Sequence, residues 1–262
     1  MPPLPVPLTE GSLVLTLRAA GCVFAEEEAR LLLAAAADQD ELAAMVRRRT
    51  EGFPLEHILG YVEFCGLRLE IGAGVFVPRR RTELLAGHAV SRTGPGATVL
   101  DLCCGCGALG AAVSAAVPGI ELYASDIDSA AVACAGRNLV SRGGRVFQGN
   151  LFEPLPAALR GRVDILVSNT PYVPTGSIRM MPPEARLHEP LAALDGGTDG
   201  LDIQRRVAAE ACRWLAPGGH VLVEASEAQA PVSAGLFAEH GLRPAIVASG
   251  ELDATIVVGT RA

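Results

Sequence analysis

The chain has 262 residues, 50% of them hydrophobic, enough to bury a sizeable core in one large domain or in a main domain with a small appendage. Its net charge is −7 and none of its 22 basic residues is Lys, a balance that disfavours the phosphate electrostatics on which nucleic-acid binders depend. Seven Cys without the rhythm of a disulfide scaffold, and an N-terminal "MPPLPVPLTEG" lacking a basic region and a long apolar core, predict a reduced, cytoplasmic protein.

Taken in chain order, residues 1–60 read as a small helical domain. "AEEEARLLLAAAA" places acids in a first turn and apolar residues behind them, as the helix dipole favours. "DQDELAAMVRRR" opens on Asp38 as an N-cap and closes on three Arg. That cluster, and Arg79-Arg80-Arg81 further on, read as solvated helix or turn faces. Residues 61–82 read as a linker with strand character, in which alternating Leu67, Leu69 and Ile71 predict a half-buried hairpin.

From residue 83 to 262, and plainly from Thr98, strands and helices alternate. "TVLDL", "ELYASD", "RVFQGN", "VDILVSN" and "HVLVEA" are strands with helical segments between them, and "RPAIVAS" and "ATIVVGT" close the chain. This order predicts an α/β fold, a mostly parallel sheet with helices on both faces. The longest uncharged run, Leu102 to Ile120, carries Gly105, Gly107, Gly110, Pro118 and Gly119. It reads as a glycine-rich turn and a small-residue helix rather than a membrane span.

Gly105, Gly107 and Gly110 spell G-x-G-x-x-G between the first strand and helix of that sheet, and Asp126 follows at the end of the next strand. Small residues let a ligand approach the backbone at a helix N-terminus, and a carboxylate at the second strand end accepts hydrogen bonds from ribose hydroxyls. The pattern serves a nicotinamide dinucleotide or S-adenosylmethionine equally. Cys103, Cys104 and Cys106 crowd the turn, but the second pair of ligands that a structural zinc site needs is not evident, so no metal is predicted and the thiols read as small apolar lining.

The end of the fourth strand separates the two readings. "VDILVS" runs into Asn169-Thr170-Pro171-Tyr172. An amide or exocyclic amine nitrogen is a poor nucleophile because its lone pair is delocalised. An Asn side-chain oxygen and the next backbone carbonyl can accept both of its N–H groups and steady the positive charge that develops there. Pro171 stiffens the turn and Tyr172 covers a flat substrate group. Hydride transfer to a nicotinamide has no use for these parts.

With these residues in view, the chain resembles the protein-(glutamine-N5) methyltransferases, which modify the Gly-Gly-Gln glutamine of peptide-chain release factors. The resemblance rests on the tetrad, on "GYVEFCGLRLEIGAGVFVPRRRTELL" ahead of the main domain, and on "HEPLAALDGGTDGLDIQRRV" after the tetrad. It implies a class I S-adenosylmethionine-dependent methyltransferase with a Rossmann-like seven-stranded sheet, a small N-terminal helical domain and a hairpin linker. It also implies that Cys103, Cys104, Gly105, Cys106 and Gly107 line the methionine part of the cofactor, that Asp126 meets its ribose, and that Asn150 and Leu151 flank its adenine. Asn169 and the Thr170 carbonyl would hold the substrate amide, with Tyr172 packed against it. The substrate class implied is a protein such as a release factor. The alternatives are a small-molecule amide or amine as acceptor, or a nicotinamide-dependent oxidoreductase.

Four departures from the family pattern stand out. Cys103 and Cys104 take the place of its first Gly-Thr, Asn150 replaces an Asp near the adenine, Thr170 replaces the first Pro of Asn-Pro-Pro-Tyr, and Arg81 replaces an acid near the substrate entrance. Together they predict a divergent paralogue.

Overall fold

The computed structural model describes residues 8–262. The first seven residues, part of the predicted helical domain and of the stretch read as lacking a secretory leader, lie outside the described residues.

Four helices open the described chain: α1 (Glu10–Ala19), α2 (Ala25–Ala35), α3 (Gln39–Thr50) and the short α4 (Leu55–Leu59). α1 and α3 carry side-chain caps, that of α3 at the expected Asp38. Thr9 and Ser12 satisfy each other's backbone at the start of α1, and the Asp38 carboxylate accepts the Glu41 N–H at 2.8 Å at the start of α3. Leu13, Leu17, Leu32, Leu42 and Ile58 form an apolar cluster of their own. Four such short helices bury too little to be stable alone, and their docking onto the rest of the chain includes an ion pair, Arg49 to Glu184.

Arg49 is the centre of that docking and corrects the reading of its cluster as a solvated face. Its guanidinium is 11% exposed, donates from Nε and Nη2 to the Glu28 carboxylate at 2.6 and 3.0 Å, and reaches Glu184 at 2.9 Å from Nη1. Burial of both partners makes this pair depend on its geometry: losing one side would strand a charge in the interior.

The hairpin β1 (Tyr61–Phe64) and β2 (Leu67–Glu70) pairs Tyr61 with Glu70 and Phe64 with Leu67. Cys65 and Gly66 both have positive φ at its tip, as a two-residue hairpin turn requires.

The remaining elements are α5 (Glu83–Val90), β3 (Thr98–Leu102), α6 (Ala108–Ala116), β4 (Glu121–Asp126), α7 (Ser129–Leu139), β5 (Arg145–Gln148), β6 (Val163–Ser168), α8 (Pro183–His188), α9 (Leu191–Leu194), α10 (Asp202–Trp214), β7 (Leu215–Ala225), α11 (Ala230–Glu239), β8 (Leu242–Ser249) and β9 (Ala254–Arg261). The seven-stranded sheet runs β5-β4-β3-β6-β7-β9-β8, parallel except for β9, which is antiparallel to both its neighbours. Successive residues of β3 face opposite ways, so Val99 packs with Ala112 and Leu139 while Leu100 and Leu102 pack with Val207, Ala211 and Trp214. Both faces are covered, which is why these strands read as continuous apolar runs.

The strand order reverses beside β3, and the crevice this opens at the carboxyl ends of β3, β4 and β6 holds the site. The stretch after the tetrad, expected as a long polar connection, contains the two short helices α8 and α9. No helix among the described residues is long and apolar enough to cross a membrane.

Candidate active site

A cavity of about 470 Å³ opens at those strand ends. Cys103, Cys104, Gly105 and Cys106 line it, together with Asp126, Asn150, Leu151 and Asn169 to Tyr172. Gly107 alone of the sequence-predicted residues is outside the lining. Its φ is +81°, it starts α6, and a Cβ there would lie 2.8 Å from Leu139, so it is a glycine because helix α7 packs against it.

The turn after β3 is held by short-range bonds. Cys104 N–H donates to the Ser125 carbonyl at 3.1 Å, and Gly107 N–H to the Cys104 carbonyl at 2.7 Å. Asp126 takes the Gly105 N–H on Oδ2 at 2.9 Å and the Asp128 N–H on Oδ1 at 3.0 Å, which fixes its carboxylate at the cavity edge. Burial raises its pKa above the usual carboxylate range, and the two N–H bonds oppose that shift. A Cβ built at Gly105 meets no atom within 4 Å, so the backbone there faces open space.

Cys103 stands at φ +55°, where a Cβ is strained, at the position the family gives to Gly. We expect Cys103→Gly to be more stable than Cys103→Ala by about 1 kcal/mol, the reverse of the order at ordinary positions. Thermal midpoints of the two variants measure it, and an equal or higher midpoint for the Ala form would remove the strain argument. Burial pushes the Cys103 thiol up to about 12 and the Cys104 thiol well above its ordinary value, so both remain protonated near neutrality. Among the described residues, no group of three or more His, Cys, Asp and Glu side chains is placed to hold a metal ion. All seven Cys are free thiols.

Both ends of the Asn150 side-chain amide are engaged by neighbouring side chains. Its Oδ1 accepts Arg206 Nη2 at 2.7 Å, and its Nδ2 donates to Glu153 Oε1 at 3.0 Å. Leu151 sits at φ +51°, its carbonyl held by Ser125 Oγ at 2.9 Å.

In the tetrad, Asn169 Nδ2 lies 3.5 Å from Thr82 Oγ1, while its Oδ1 is buried with no protein partner among the described residues. The Thr170 hydroxyl is likewise buried and unpartnered. Tyr172 Oη donates to Glu224 Oε1 at 2.9 Å. Downstream, the chain zips onto the glycine turn before α10: Val173 N–H donates to the Leu194 carbonyl, and Gly196 N–H to the Val173 carbonyl.

Arg79 also lines the cavity. Its Nη2 reaches both Glu189 oxygens at 2.7 and 2.6 Å, and Val77 N–H adds a third bond to Glu189 at 3.2 Å. This ties the segment before α5 to the "HEP" stretch and corrects the reading of Arg79 as a solvated side chain. Arg81 is exposed, lines the cavity and makes no salt bridge among the described residues.

Sequence reading missed Asp101, Thr82, Glu189 and Glu224. Asp101 is fully buried, binds the Gly110 N–H at 2.9 Å and has its pKa pushed up by burial to about 7. An acid inside an apolar strand, as in "TVLDL" and "HVLVEA", was the available signal, because burying a charge is costly without a purpose.

A family model described as methyltransferase small domain matches residues 68–185, a span that holds both the glycine turn and the tetrad. A release factor glutamine methyltransferase from Geobacter sulfurreducens is 39% identical over 227 residues, 85% of this chain and 79% of its own length. A 4-amino-L-phenylalanine/4-methylamino-L-phenylalanine methyltransferase from Streptomyces pristinaespiralis is 36% identical over 205 residues, 75% of this chain and 69% of its own. Among solved structures, a methyltransferase from Pyrococcus furiosus shares the fold at a TM-score of 0.57 and 16% identity, covering 75% of this chain and 90% of that one.

Proposed function

The chain belongs to the release factor glutamine methyltransferase family, and from that premise we propose that it methylates the side-chain amide nitrogen (N5) of a protein glutamine, such as that of a release-factor Gly-Gly-Gln loop. Membership removes the nicotinamide-dependent oxidoreductase reading of the glycine turn. The observation that carries the proposal is Asn169 Oδ1, a buried acceptor without a partner among the described residues, in a residue that lines the same cavity as the turn and Asp126. An orphaned buried oxygen is costly unless a ligand satisfies it.

The cavity fits S-adenosylmethionine: its glycine turn faces open space, and Asp126 is fixed where ribose hydroxyls would lie. Cys103 to Cys106 would flank the methionine part, Asp126 would hold the ribose, and Asn150 and Leu151 the adenine. Bound there, the cofactor supplies an electrophilic methyl group. The chain's own residues act on the acceptor. Asn169 Oδ1 and the Thr170 carbonyl take its two N–H groups, hold the nitrogen in place and favour the positive charge that develops on it. The Tyr172 ring packs against the planar amide, its tilt set by the bond to Glu224. Thr170 lacks the φ lock of the family's Pro, so slower or re-aimed methylation is expected.

The same proposal divides the chain into a helical unit (1–60) that clamps the protein acceptor, a hairpin linker (61–82) and the catalytic domain (83–262). The separate apolar cluster of the first four helices supports this division. A cytoplasmic setting without direct nucleic-acid contact is part of it, supported by the charge of −7 and the free thiols.

A small-molecule amine is the second reading, favoured by the unpaired Arg81 at the cavity and by the Streptomyces relative. Labelled methyl transfer to release factor with an intact Gly-Gly-Gln loop, to the same factor with that Gln substituted, and to 4-amino-L-phenylalanine separates the two. We expect label on the intact loop alone. Equal label on both loops would exclude the target atom, and label only on the amine would select the second reading.

A further inference from the structure

Behind the tetrad lies a chain of hydrogen bonds whose direction is determined at one end. Glu224, on β7, is 2% exposed, and each of its oxygens receives a different hydroxyl. Thr82 Oγ1 donates to Oε2 at 2.7 Å and Tyr172 Oη to Oε1 at 2.9 Å. Its backbone carbonyl is held by Gln204 Nε2 at 2.8 Å, and Ser233 Oγ secures Gln204 in turn at 2.7 Å. The carboxylate therefore has little freedom to turn.

An ionised carboxylate only accepts, so Thr82 must give it the one proton its hydroxyl has. The Thr82 oxygen is then limited to accepting, and Asn169 Nδ2 is the donor beside it at 3.5 Å. Rotating the Asn169 amide by a half-turn would set Oδ1 against that oxygen, two acceptors with no proton between them. Only the observed orientation is compatible, and it leaves Oδ1 buried and without a partner among the described residues, in a residue that lines the cavity.

We propose that Glu224 and Thr82 are positioning residues that fix the orientation of the Asn169 amide, so that its oxygen and not its NH2 group meets the acceptor nitrogen. The inference rests on the methyl-transfer reading of the site. A reversed amide would present a donor to a nitrogen that gains a methyl group, develops positive charge and gives up one of its two protons, which opposes the reaction instead of assisting it.

The device depends on pH. Burial raises Glu224 above the ordinary carboxylate range, while Thr82, Tyr172, Arg81 and Arg79 face it and oppose the shift. Once protonated, Glu224 can donate to Thr82, which frees the Thr82 proton to turn toward Asn169 and reverses the chain. Turnover is therefore complete above the raised Glu224 pKa and falls as pH drops through it.

The test compares Thr82→Val, Thr82→Ser and Glu224→Gln. Thr82→Val should lower kcat by about ten- to a hundredfold, while acceptor KM and the Kd for S-adenosylhomocysteine stay within about threefold. Thr82→Ser, which keeps the hydroxyl, should recover most of the loss, and Glu224→Gln should flatten the acid limb of the kcat profile. A Thr82→Val enzyme that binds S-adenosylhomocysteine normally and turns over within about twofold of the parent overturns the proposal. Failure of the methyl-transfer reading looks different: the parent enzyme then labels neither acceptor. Asparagine-labelled NMR judges the relay in that case, with the Asn169 NH2 signals assigned by their loss in Asn169→Ala. They should move in Thr82→Val and stay in Thr82→Ser, and coincident signals in all three proteins overturn the relay.

Discussion

Asn169→Ala lowers methyl transfer by about a hundred- to a thousandfold while the Kd for S-adenosylhomocysteine changes by no more than about threefold. The asymmetry follows from where the side chain acts. Asn169 Oδ1 has no partner among the described residues, so removing the side chain breaks none of their bonds except the long contact from Nδ2 to Thr82 at 3.5 Å. The cofactor contacts proposed for Asp126 and the Cys103 to Cys106 turn belong to other residues of the cavity lining. What is lost is one of two acceptors for the reacting nitrogen, in a setting where a fixed dipole is worth far more than in water. Single-turnover rates with labelled cofactor, beside calorimetric titration of S-adenosylhomocysteine, measure both halves. A variant with near-parental rates would mean that another group accepts the substrate N–H.

Gly200→Ala is expected to cost about 3 kcal/mol and lower the melting temperature by about 6 to 12 °C. Gly200 has φ +81°, and a Cβ there would overlap the Tyr172 carbonyl and the Gln229 amide far inside contact distance. The same Gln229 Nε2 bonds the Tyr172 carbonyl at 2.9 Å, so the clash falls on the bond that seats the tetrad. The neighbouring glycines are no freer. A Cβ at Gly196 would lie 2.5 Å from the Gly200 carbonyl oxygen, and one at Gly197 would run into the Asp202 carboxylate. Gly176, with open space around its built Cβ, is the control, and its Ala variant should melt within about 1 °C of the parent. Equal melting temperatures for the two variants would show that the turn yields at little cost. Turnover should fall with Gly200→Ala as well, since the displaced strand end carries Tyr172.

This packing explains why "LDGGTDGLD" is informative. As a string it is a glycine-rich loop, and in the fold it is the surface against which the tetrad is pressed. The tetrad was readable because its four residues are consecutive and follow a buried strand. The glycine turn and Asp126 were readable because one strand, one turn and the end of the next strand bring them together over a short stretch of chain. Gly107 stands outside the cavity lining, and spacing reveals that a glycine is needed there but not that Leu139 occupies the space beside it.

Arg49 and Arg79 were read as solvated because charge runs at helix ends and turns usually are. Their partners lie outside the local stretch, Glu28 at 21 and Glu184 at 135 residues from Arg49 and Glu189 at 110 from Arg79. Thr82 and Glu224, 142 residues apart, are the same case. Nothing local to "PRRRTE" or "HVLVEA" indicates that the two meet behind Asn169.

The sequence by itself determined the parallel sheet, the glycine turn, the acid at the second strand end and the place of the tetrad after a buried strand. Each is written in a period or spacing that acts over a few residues, through backbone geometry and burial. Only the tertiary structure decided which way the Asn169 amide faces, which arginines are buried and which glycines make room for other chain segments. Those features depend on hydrogen-bond direction and excluded volume between distant segments, and neither exists until the sheet has closed around them.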